Sequence, residues 1–381
     1  MSKPLIMTPG PTYVHEDVRR ALSKEITNPD LDLEFYEFYK ETCELLKELF
    51  QTKNDILILN GEGILGLEAA CASMIEKDDT VLCIDNGIFG KGFGEFAEMY
   101  GAKVTYFECD YREAVSIENL EKFLAEQHDF KAATLVHCET PSGITNPVEL
   151  ICPLLKKYGV LTIVDAVSAV GGEELKTDEW EMDIVLAGSQ KCLSSVPGLS
   201  IASISEIAWD AISNRKQPIA GFYCNLGIWR NWYEKKWFPY TQPISDIYAL
   251  REAAERLLLD EDRITRHKRI AEAVRLSITR AGLGLYALDG FSNTVTTVIM
   301  PSEISFQELY GDMLADHNIM IAGAFDFLSD KVFRIGHMGE NCREEKLYLT
   351  LNALNRVLKK HHVALKSEMH VEFLKCIDSI R

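Results

Sequence analysis

The sequence lacks the features that mark a nucleic-acid or membrane partner. Basic residues are outnumbered, with 40 Lys and Arg against 58 Asp and Glu and a formal net charge of −18, so the basic surface that phosphate groups require is not expected. No apolar run approaches the ~18 residues of a membrane-spanning helix. The apolar stretch within residues 1–7 is too short for a signal peptide. We therefore predict a cytoplasmic protein with no nucleic-acid and no membrane partner.

The ten cysteines lack the spacing of a disulfide framework, since no two of them form a C-x-x-C pair. Several lie within apolar strand or helix patterns, which indicates buried thiols in a reducing compartment. We predict no metal site. Internal repeats and low-complexity linkers are also absent from the sequence. The length of 381 residues, with 47% hydrophobic and 26% charged residues, is typical of a soluble globular protein of about two domains.

Short apolar runs alternate with helical periodicity through the first two thirds of the chain. Strand-like runs lie at 81–85, 103–107, 133–137, 161–164 and 184–186, and helical patterns at 33–50, 65–75, 117–127 and 149–158. This alternation predicts an α/β fold with a mostly parallel, doubly wound sheet, which binds ligands at the carboxyl ends of its strands.

The pattern changes near residue 244. A long helical stretch to 282 is followed by strand-like runs at 294–300, 318–321 and 332–335 and by further helical patterns at 344–358 and 363–377. This mixture predicts a smaller α+β domain. We therefore predict an N-terminal segment at 1–20, a large cofactor-binding domain at 21–245 and a small C-terminal domain at 246–381.

A lysine and an aspartate follow two of the predicted strands. Lys191 comes shortly after the run 182–187, and Asp165 ends the run 160–164. A desolvated lysine can attack an aldehyde and form a Schiff base, and a neighbouring acid can keep a pyridine nitrogen protonated. The pair therefore indicates pyridoxal chemistry. The alternatives are a solvated surface lysine and a turn-forming aspartate.

Weaker motifs accompany this pair. Glycines at 61, 63 and 66 precede a helix, where backbone amides can bind an anion or simply form a turn. Phe89 lies among glycines after a strand and can stack on a planar ring or pack in the core. Thr140 can hydrogen-bond a ring hydroxyl. Arg334, on a late strand, can bind a carboxylate or form a structural ion pair.

Together these motifs resemble the class V aminotransferases of fold type I, in the branch that holds the alanine–glyoxylate and serine–pyruvate enzymes. The resemblance runs from Thr8-Pro-Gly-Pro11 to Arg334-Ile-Gly-His337 and is strongest at 163–172 and at Gly188-Ser-Gln-Lys191. It implies pyridoxal 5′-phosphate as cofactor and a homodimer, because Thr241 lies in a segment that crosses the dimer interface in the family. The resemblance also implies a role for each candidate residue. It implies that Lys191 forms the Schiff base and moves the proton, that Asp165 binds the pyridine N–H and that Phe89 stacks on the ring. It further implies that Thr140 contacts the ring hydroxyl, that Gln190 and the amides of Gly63 and Ile64 face the phosphate, and that Arg334 binds the substrate carboxylate.

Glu62 departs from this pattern, because the family usually has a small hydroxyl residue at its position. A carboxylate ~4 Å from a phosphate dianion is repelled by several kcal/mol at an intermediate dielectric. Either Glu62 turns away or the bound ring carries no phosphate. The second option matches a close likeness to the pyridoxamine–pyruvate aminotransferases, which use the free vitamer as substrate. Those enzymes have a second arginine where Phe325 stands here, so two-arginine binding of pyruvate is not expected.

We therefore predict an aminotransferase that moves an amino group between a small donor, of the alanine or serine type, and a 2-oxo acid such as pyruvate or glyoxylate. The alternative is a pyridoxamine–pyruvate transaminase that takes free pyridoxamine and pyridoxal as substrates. A cysteine desulfurase would need a reactive loop cysteine, for which Cys342 is the late candidate. A non-enzymatic B6 sensor is the remaining alternative.

Overall fold

The computed structural model describes residues 3–380, which form fourteen strands and thirteen α-helices. The strands are β1 (Leu5–Ile6), β2 (Asp55–Asn60), β3 (Thr80–Asp85), β4 (Lys103–Glu108), β5 (Ala132–Val136), β6 (Cys138–Glu139), β7 (Ile144–Thr145), β8 (Leu161–Asp165), β9 (Ile184–Gly188), β10 (Leu199–Ile204), β11 (Val295–Ile299), β12 (Ile319–Met320), β13 (Ala322–Gly323) and β14 (Val332–Gly336). The helices are α1 (Glu16–Ala21), α2 (Leu33–Phe50), α3 (Gly63–Met74), α4 (Ile88–Met99), α5 (Ile117–Glu126), α6 (Val148–Lys157), α7 (Glu206–Ser213), α8 (Trp232–Lys235), α9 (Ile244–Leu259), α10 (Arg263–Arg280), α11 (Phe306–His317), α12 (Glu344–Lys360) and α13 (Met369–Ile380).

The central sheet has seven strands in the order β2-β10-β9-β8-β5-β3-β4. Strands β9, β8, β5, β3 and β4 pair in parallel, and only β10 runs antiparallel to its neighbours. Helices flank this sheet, and the predicted α/β fold with a mostly parallel sheet is confirmed. Because β3, β5, β8 and β9 point the same way, the segments that follow them meet at one edge.

Most predicted elements are present, with ends that differ by one or two residues, but the last helix, predicted at 363–377, spans Met369–Ile380. The helix predicted at 33–50 coincides with α2, whose first amides donate to the side chain of Asp32. The helix predicted at 244–282 is wrong as a single element, because the chain breaks between Leu259 and Arg263 into α9 and α10. Strands β2 and β10 were not predicted, and together they form the antiparallel side of the sheet.

A second sheet and a second core lie in the C-terminal third. Strands β11, β14 and β13 form an antiparallel sheet, with Arg334 of β14 opposite Thr297 and Ala322. Helix α9 packs its buried face into the core of the large sheet, whereas α10, α12 and α13 pack into the second core. The predicted domain boundary at 245/246 therefore falls inside α9, and the three-part division remains a prediction.

The N-terminal segment bridges the two halves of the chain. Strand β1 pairs in parallel with β12, and Met7 accepts a hydrogen bond from the amide of Gly336 at 2.7 Å. A few residues later the amide of Thr12 donates to the carbonyl of Gln190 at 3.1 Å. Within residues 3–380, no helix combines the length and the apolar character needed to cross a membrane.

Candidate active site

Lys191 lies where the chain leaves the carboxyl end of β9. Its side chain is partly buried, and its Nζ donates to the backbone carbonyl of Pro9 at 2.8 Å. Burial lowers the pKa of Lys191, and the positive charge of Arg334 lowers it further. A Cβ at Gly10 would overlap the lysine side chain, so the glycine permits the close approach of the N-terminal segment. The amine therefore lies inside the protein, which argues against a freely solvated surface lysine.

Asp165 is the last residue of β8 and lies beside Val136 of β5 and Leu186 of β9. Its side chain is buried, and its Oδ1 accepts a hydrogen bond from the amide of Val167 at 2.9 Å. Burial raises the pKa of Asp165 to about 6; the Val167 amide and the charge of Lys191 lower it. No Lys, Arg or His within residues 3–380 forms a salt bridge with Asp165. This buried acid is therefore suited to bind a cation brought by a ligand.

Glu62 bends back over the first turn of α3. Its Oε1 accepts a hydrogen bond from the amide of Ile64 at 3.1 Å, and its Oε2 accepts one from Nε2 of Gln190 at 2.9 Å. The carboxylate thus occupies the helix N-terminus, where an anion would be favoured by the exposed amides and the helix dipole. The side-chain oxygen of Gln190, Oε1, is buried and has no hydrogen-bond partner in the described part of the chain.

Gly63 brings the start of α3 close to Asp165. A Cβ at Gly63 would lie 3.0 Å from the side chain of Val167, two positions after the aspartate. The charge of Glu62 also acts on Asp165 and raises its pKa. Glu62, at the start of α3, and Lys191 both act on Asp165 through their charges, and Gln190 binds Glu62. The cofactor-binding roles of Glu62, Gly63, Ile64, Gln190 and Lys191 remain predictions.

Phe89 lies in the first turn of α4, beyond the carboxyl end of β3. Its ring is half-buried, and its centroid is 5.6 Å from that of Phe325. The glycines around it belong to the helix rather than to a loop: a Cβ at Gly94 would lie 2.7 Å from Sγ of Cys83, so α4 packs directly on β3.

Two further predicted residues differ in their surroundings. Thr140 follows β6 and is buried near the carboxyl end of β5. Thr241 is exposed and lies between the Tyr240 ring and the start of α9. The structure gives Thr241 no contact with Lys191 or Asp165 in this chain.

Arg334 lies in the middle of β14 and is buried. Its Nε donates to the carbonyl of Gly323 at 2.7 Å, and its guanidinium carbon is 5.9 Å from the centre of the Phe325 ring. Burial lowers the pKa of Arg334 to about 10, while the charge of Glu139 raises it. No carboxylate of residues 3–380 forms a salt bridge with Arg334, so the structural ion pair considered from the sequence is not observed.

Two neighbours of the site were not predicted. Pro9 supplies the carbonyl that holds the amine of Lys191, and no local motif links residues 182 positions apart. Glu139 precedes Thr140 and is fully buried next to Phe89. Its signal in the sequence was a carboxylate directly after an apolar run, which is unusual for a buried position.

Cys342 does not suit the desulfurase alternative. It is buried, and burial raises the pKa of its thiol to about 12. A reactive cysteine needs a thiolate that a substrate can reach.

Comparison with known proteins identifies the family of the chain. The chain matches the aminotransferase class-V family over residues 8–323. It is 34% identical to an uncharacterized aminotransferase of Methanocaldococcus jannaschii, covering 98% of this chain and 97% of that protein. It is 32% identical to the pyridoxamine–pyruvate transaminase of Mesorhizobium japonicum, covering 92% of this chain and 90% of that protein.

A solved structure shows the same fold. The crystal structure of ureidoglycine–glyoxylate aminotransferase from Bacillus subtilis superposes with a TM-score of 0.95 at 34% identity, covering 99% of each chain. The resemblance inferred from the motifs and the predicted fold type I architecture are both confirmed. The chain belongs to the class V aminotransferase family, whose members in general depend on pyridoxal phosphate.

Proposed function

We propose that this aminotransferase exchanges an amino group between a small donor, of the alanine or serine type, and pyruvate or glyoxylate, with Lys191 as the reacting amine. One observation carries the proposal. The partly buried amine of Lys191 and the buried carboxylate of Asp165, which has no salt-bridge partner within residues 3–380, lie at the carboxyl edge of the central sheet. The buried guanidinium of Arg334 comes from β14 of the second sheet, has no carboxylate partner in that same range, and lies close enough for its charge to lower the pKa of Lys191. Each group lacks the partner that a B6 ring or an amino acid would supply.

The site residues fit a B6 ring. When bound, pyridoxal phosphate or free pyridoxal supplies an aldehyde that condenses with an amine and a ring that accepts electrons from the bond being broken. Asp165 would hold the ring nitrogen, Phe89 a face of the ring and Thr140 its hydroxyl. Gln190 has a side-chain oxygen without a partner in the described chain near the end where Gly63 and Ile64 begin α3, and this oxygen can accept a hydrogen bond from a ligand hydroxyl but not from a phosphate dianion.

Lys191 acts as both nucleophile and proton carrier in this proposal. Because burial and Arg334 lower the pKa of its amine, a larger fraction is neutral near pH 7 than in water. The carbonyl of Pro9 orients Nζ within the site. Above about pH 6 Asp165 is ionised and stabilises positive charge on whatever group it binds.

We expect Arg334→Gln to impair the use of amino and oxo acids without preventing cofactor binding. The guanidinium can give a substrate carboxylate two charge-assisted hydrogen bonds, which glutamine cannot replace. The loss of this contact is expected to lower kcat/KM for alanine and for glyoxylate roughly 10²-fold. The measurement is pyruvate and glycine formation by the purified enzyme supplied with pyridoxal phosphate.

The control for this experiment is Arg356→Gln, which removes an exposed guanidinium of α12 and should leave both rates unchanged. If the wild-type enzyme forms neither product from any small donor, the proposed function is wrong. If Arg334→Gln matches the wild type, Arg334 has no role in carboxylate binding.

The position of Glu62 supports a second candidate function, in which free pyridoxamine is the amino donor to pyruvate. The carboxylate already satisfies the amide of Ile64 and binds Gln190. A phosphate at the start of α3 would have to displace it or lie beside it, at a repulsion of several kcal/mol for two charges ~4 Å apart. A ring with a hydroxymethyl group in place of the phosphate avoids this repulsion.

We expect Glu62→Ser to shift the vitamer preference toward pyridoxal phosphate. Removing the negative charge frees the helix amides for the phosphate, and the ratio of the two dissociation constants should change by ~10² or more. The measurement is an absorbance titration of apoprotein with pyridoxal and, separately, with pyridoxal phosphate. Glu62→Gln is the control for charge at nearly constant size and should shift the ratio in the same direction. An unchanged ratio in both variants would reject the account based on Glu62.

The exposed position of Thr241 supports a further part of the proposal. Phe222, Tyr223 and Trp237 are also exposed, by 54%, 50% and 45%, and lie in the same stretch between α7 and α9. Large exposed aromatic side chains are typical of a surface that pairs with another protein. We propose that this stretch contributes to a homodimer in the cytoplasm.

A further inference from the structure

Glu139 is a buried carboxylate beside the site, and the proposed chemistry gives it no role. It ends β6, and its side chain is inaccessible to solvent. Its Oε1 accepts a hydrogen bond from the amide of Phe89 at 3.1 Å, and its Oε2 accepts one from the amide of Gly90 at 2.9 Å. The first amides of a helix have no acceptor within the helix. Glu139 therefore caps α4 from a different part of the chain.

This cap carries an energetic cost. No cation of residues 3–380 forms a salt bridge with Glu139, and the carboxylates of Asp85 and Asp165 lie on neighbouring strand ends. Burial, with a smaller contribution from the two aspartates, raises the pKa of Glu139 to about 7, although the two amides act to lower it. A neutral serine or asparagine at the N-cap would satisfy an amide without burying an ionisable group.

The backbone makes room for this acid. Gly87 is the N-cap residue of α4 and offers no side chain for capping. A Cβ at Gly87 would lie 2.5 Å from Cγ of Glu139, well inside van der Waals contact. The position of the Glu139 carboxylate therefore depends on the glycine, since a larger residue at 87 would displace the carboxylate.

We propose that Glu139 is a positioning residue for Phe89. By binding both amides of the first turn, it fixes where α4 begins relative to the sheet edge, and so fixes the ring of Phe89 against Phe325. The inference rests on the proposed function, because the stacking of Phe89 on a B6 ring is part of that proposal. A helix start that could shift would leave the stacking face without a fixed position.

The test compares three variants of the full-length apoprotein. Glu139→Gln keeps the shape and removes one acceptor, since an amide nitrogen faces one of the two helix amides. Gly87→Ala displaces the carboxylate without changing it. Asp183→Asn is the matched control: it neutralises a carboxylate that is equally buried but precedes β9 and accepts from the amide of Thr162 at the opposite edge of the sheet. The readouts are the dissociation constants of pyridoxal and pyridoxal phosphate, the absorbance maximum of the bound vitamer and the melting temperature of the apoprotein.

We expect Glu139→Gln and Gly87→Ala to weaken the binding of both vitamers roughly tenfold, the scale of one lost hydrogen bond, and to shift the absorbance maximum. Asp183→Asn should lower the melting temperature but leave both optical readouts as in the wild type. Vitamer binding that is unchanged in Glu139→Gln and in Gly87→Ala, with normal wild-type transamination, would overturn this inference alone. If Glu139→Gln does not fold, Gly87→Ala decides. If the wild type binds neither vitamer, the proposed function itself fails.

Discussion

Replacing Lys191 with alanine is expected to abolish transamination. The methyl group cannot condense with the aldehyde of a B6 ring or carry a proton, and no other amine is held by the Pro9 carbonyl. A loss of at least ~10⁴-fold in kcat is expected, because the variant lacks both the nucleophile and the general base. The visible absorbance of the wild-type enzyme mixed with pyridoxal or its phosphate should disappear as well.

Borohydride reduction provides a direct check of this role. In the wild type, reduction in the presence of either vitamer should add the mass of that vitamer to the peptide containing Lys191. Lys156→Ala is a suitable control, because that lysine pairs with Asp183 at the far edge of the sheet. It should retain activity and labelling. A Lys191→Ala enzyme with wild-type turnover, or an unlabelled Lys191 peptide, would contradict the assignment.

Replacing Asp165 with asparagine is expected to lower kcat by ~10² or more while labelling of Lys191 persists. The asparagine side chain keeps an oxygen that can accept the hydrogen bond from the backbone N–H of Val167. It carries no charge to stabilise a protonated ring nitrogen. A preorganised charge in a buried site contributes on this scale. The measurement is kcat with alanine and glyoxylate, together with borohydride labelling.

The same variant should change the pH dependence of vitamer binding. Because burial raises the pKa of Asp165 to about 6, the wild-type acid becomes neutral as the pH falls below that value. Its attraction for a cationic ring is then lost, so affinity should be full above about pH 7 and should decrease toward pH 5. Asp165→Asn should be weak throughout and lack this change. A wild type whose affinity is flat between pH 5 and 8 would argue against contact of Asp165 with the ring.

The sequence predicted those parts of the fold that depend on local patterns. Helix α2 has one apolar face and the capping residue Asp32, so its limits at 33 and 50 can be read from residues near each end. Strand β8 is a short apolar run that ends in an acid, and Asp165 was placed correctly for the same reason. Motif order also indicated the class V family, which the comparisons confirm.

Features that depend on distant contacts were not predicted. Strand β10 contains serines at 200 and 203 and lacks the continuous apolar run of the parallel strands, yet all its residues are buried by its two neighbours. The helical pattern from 244 to 282 continues through Asp260, but that acid binds Arg266 and interrupts the helix before α10. The capping role of Glu62 depends on Gln190 in the folded chain.

The N-terminal segment forms its contacts with residues that are synthesised much later. Residues 5–12 are synthesised before their partners, which are Asn318 and Met320 in one half and Gln190 and Lys191 in the other. The segment therefore lacks these hydrogen-bond partners until most of the polypeptide has been synthesised.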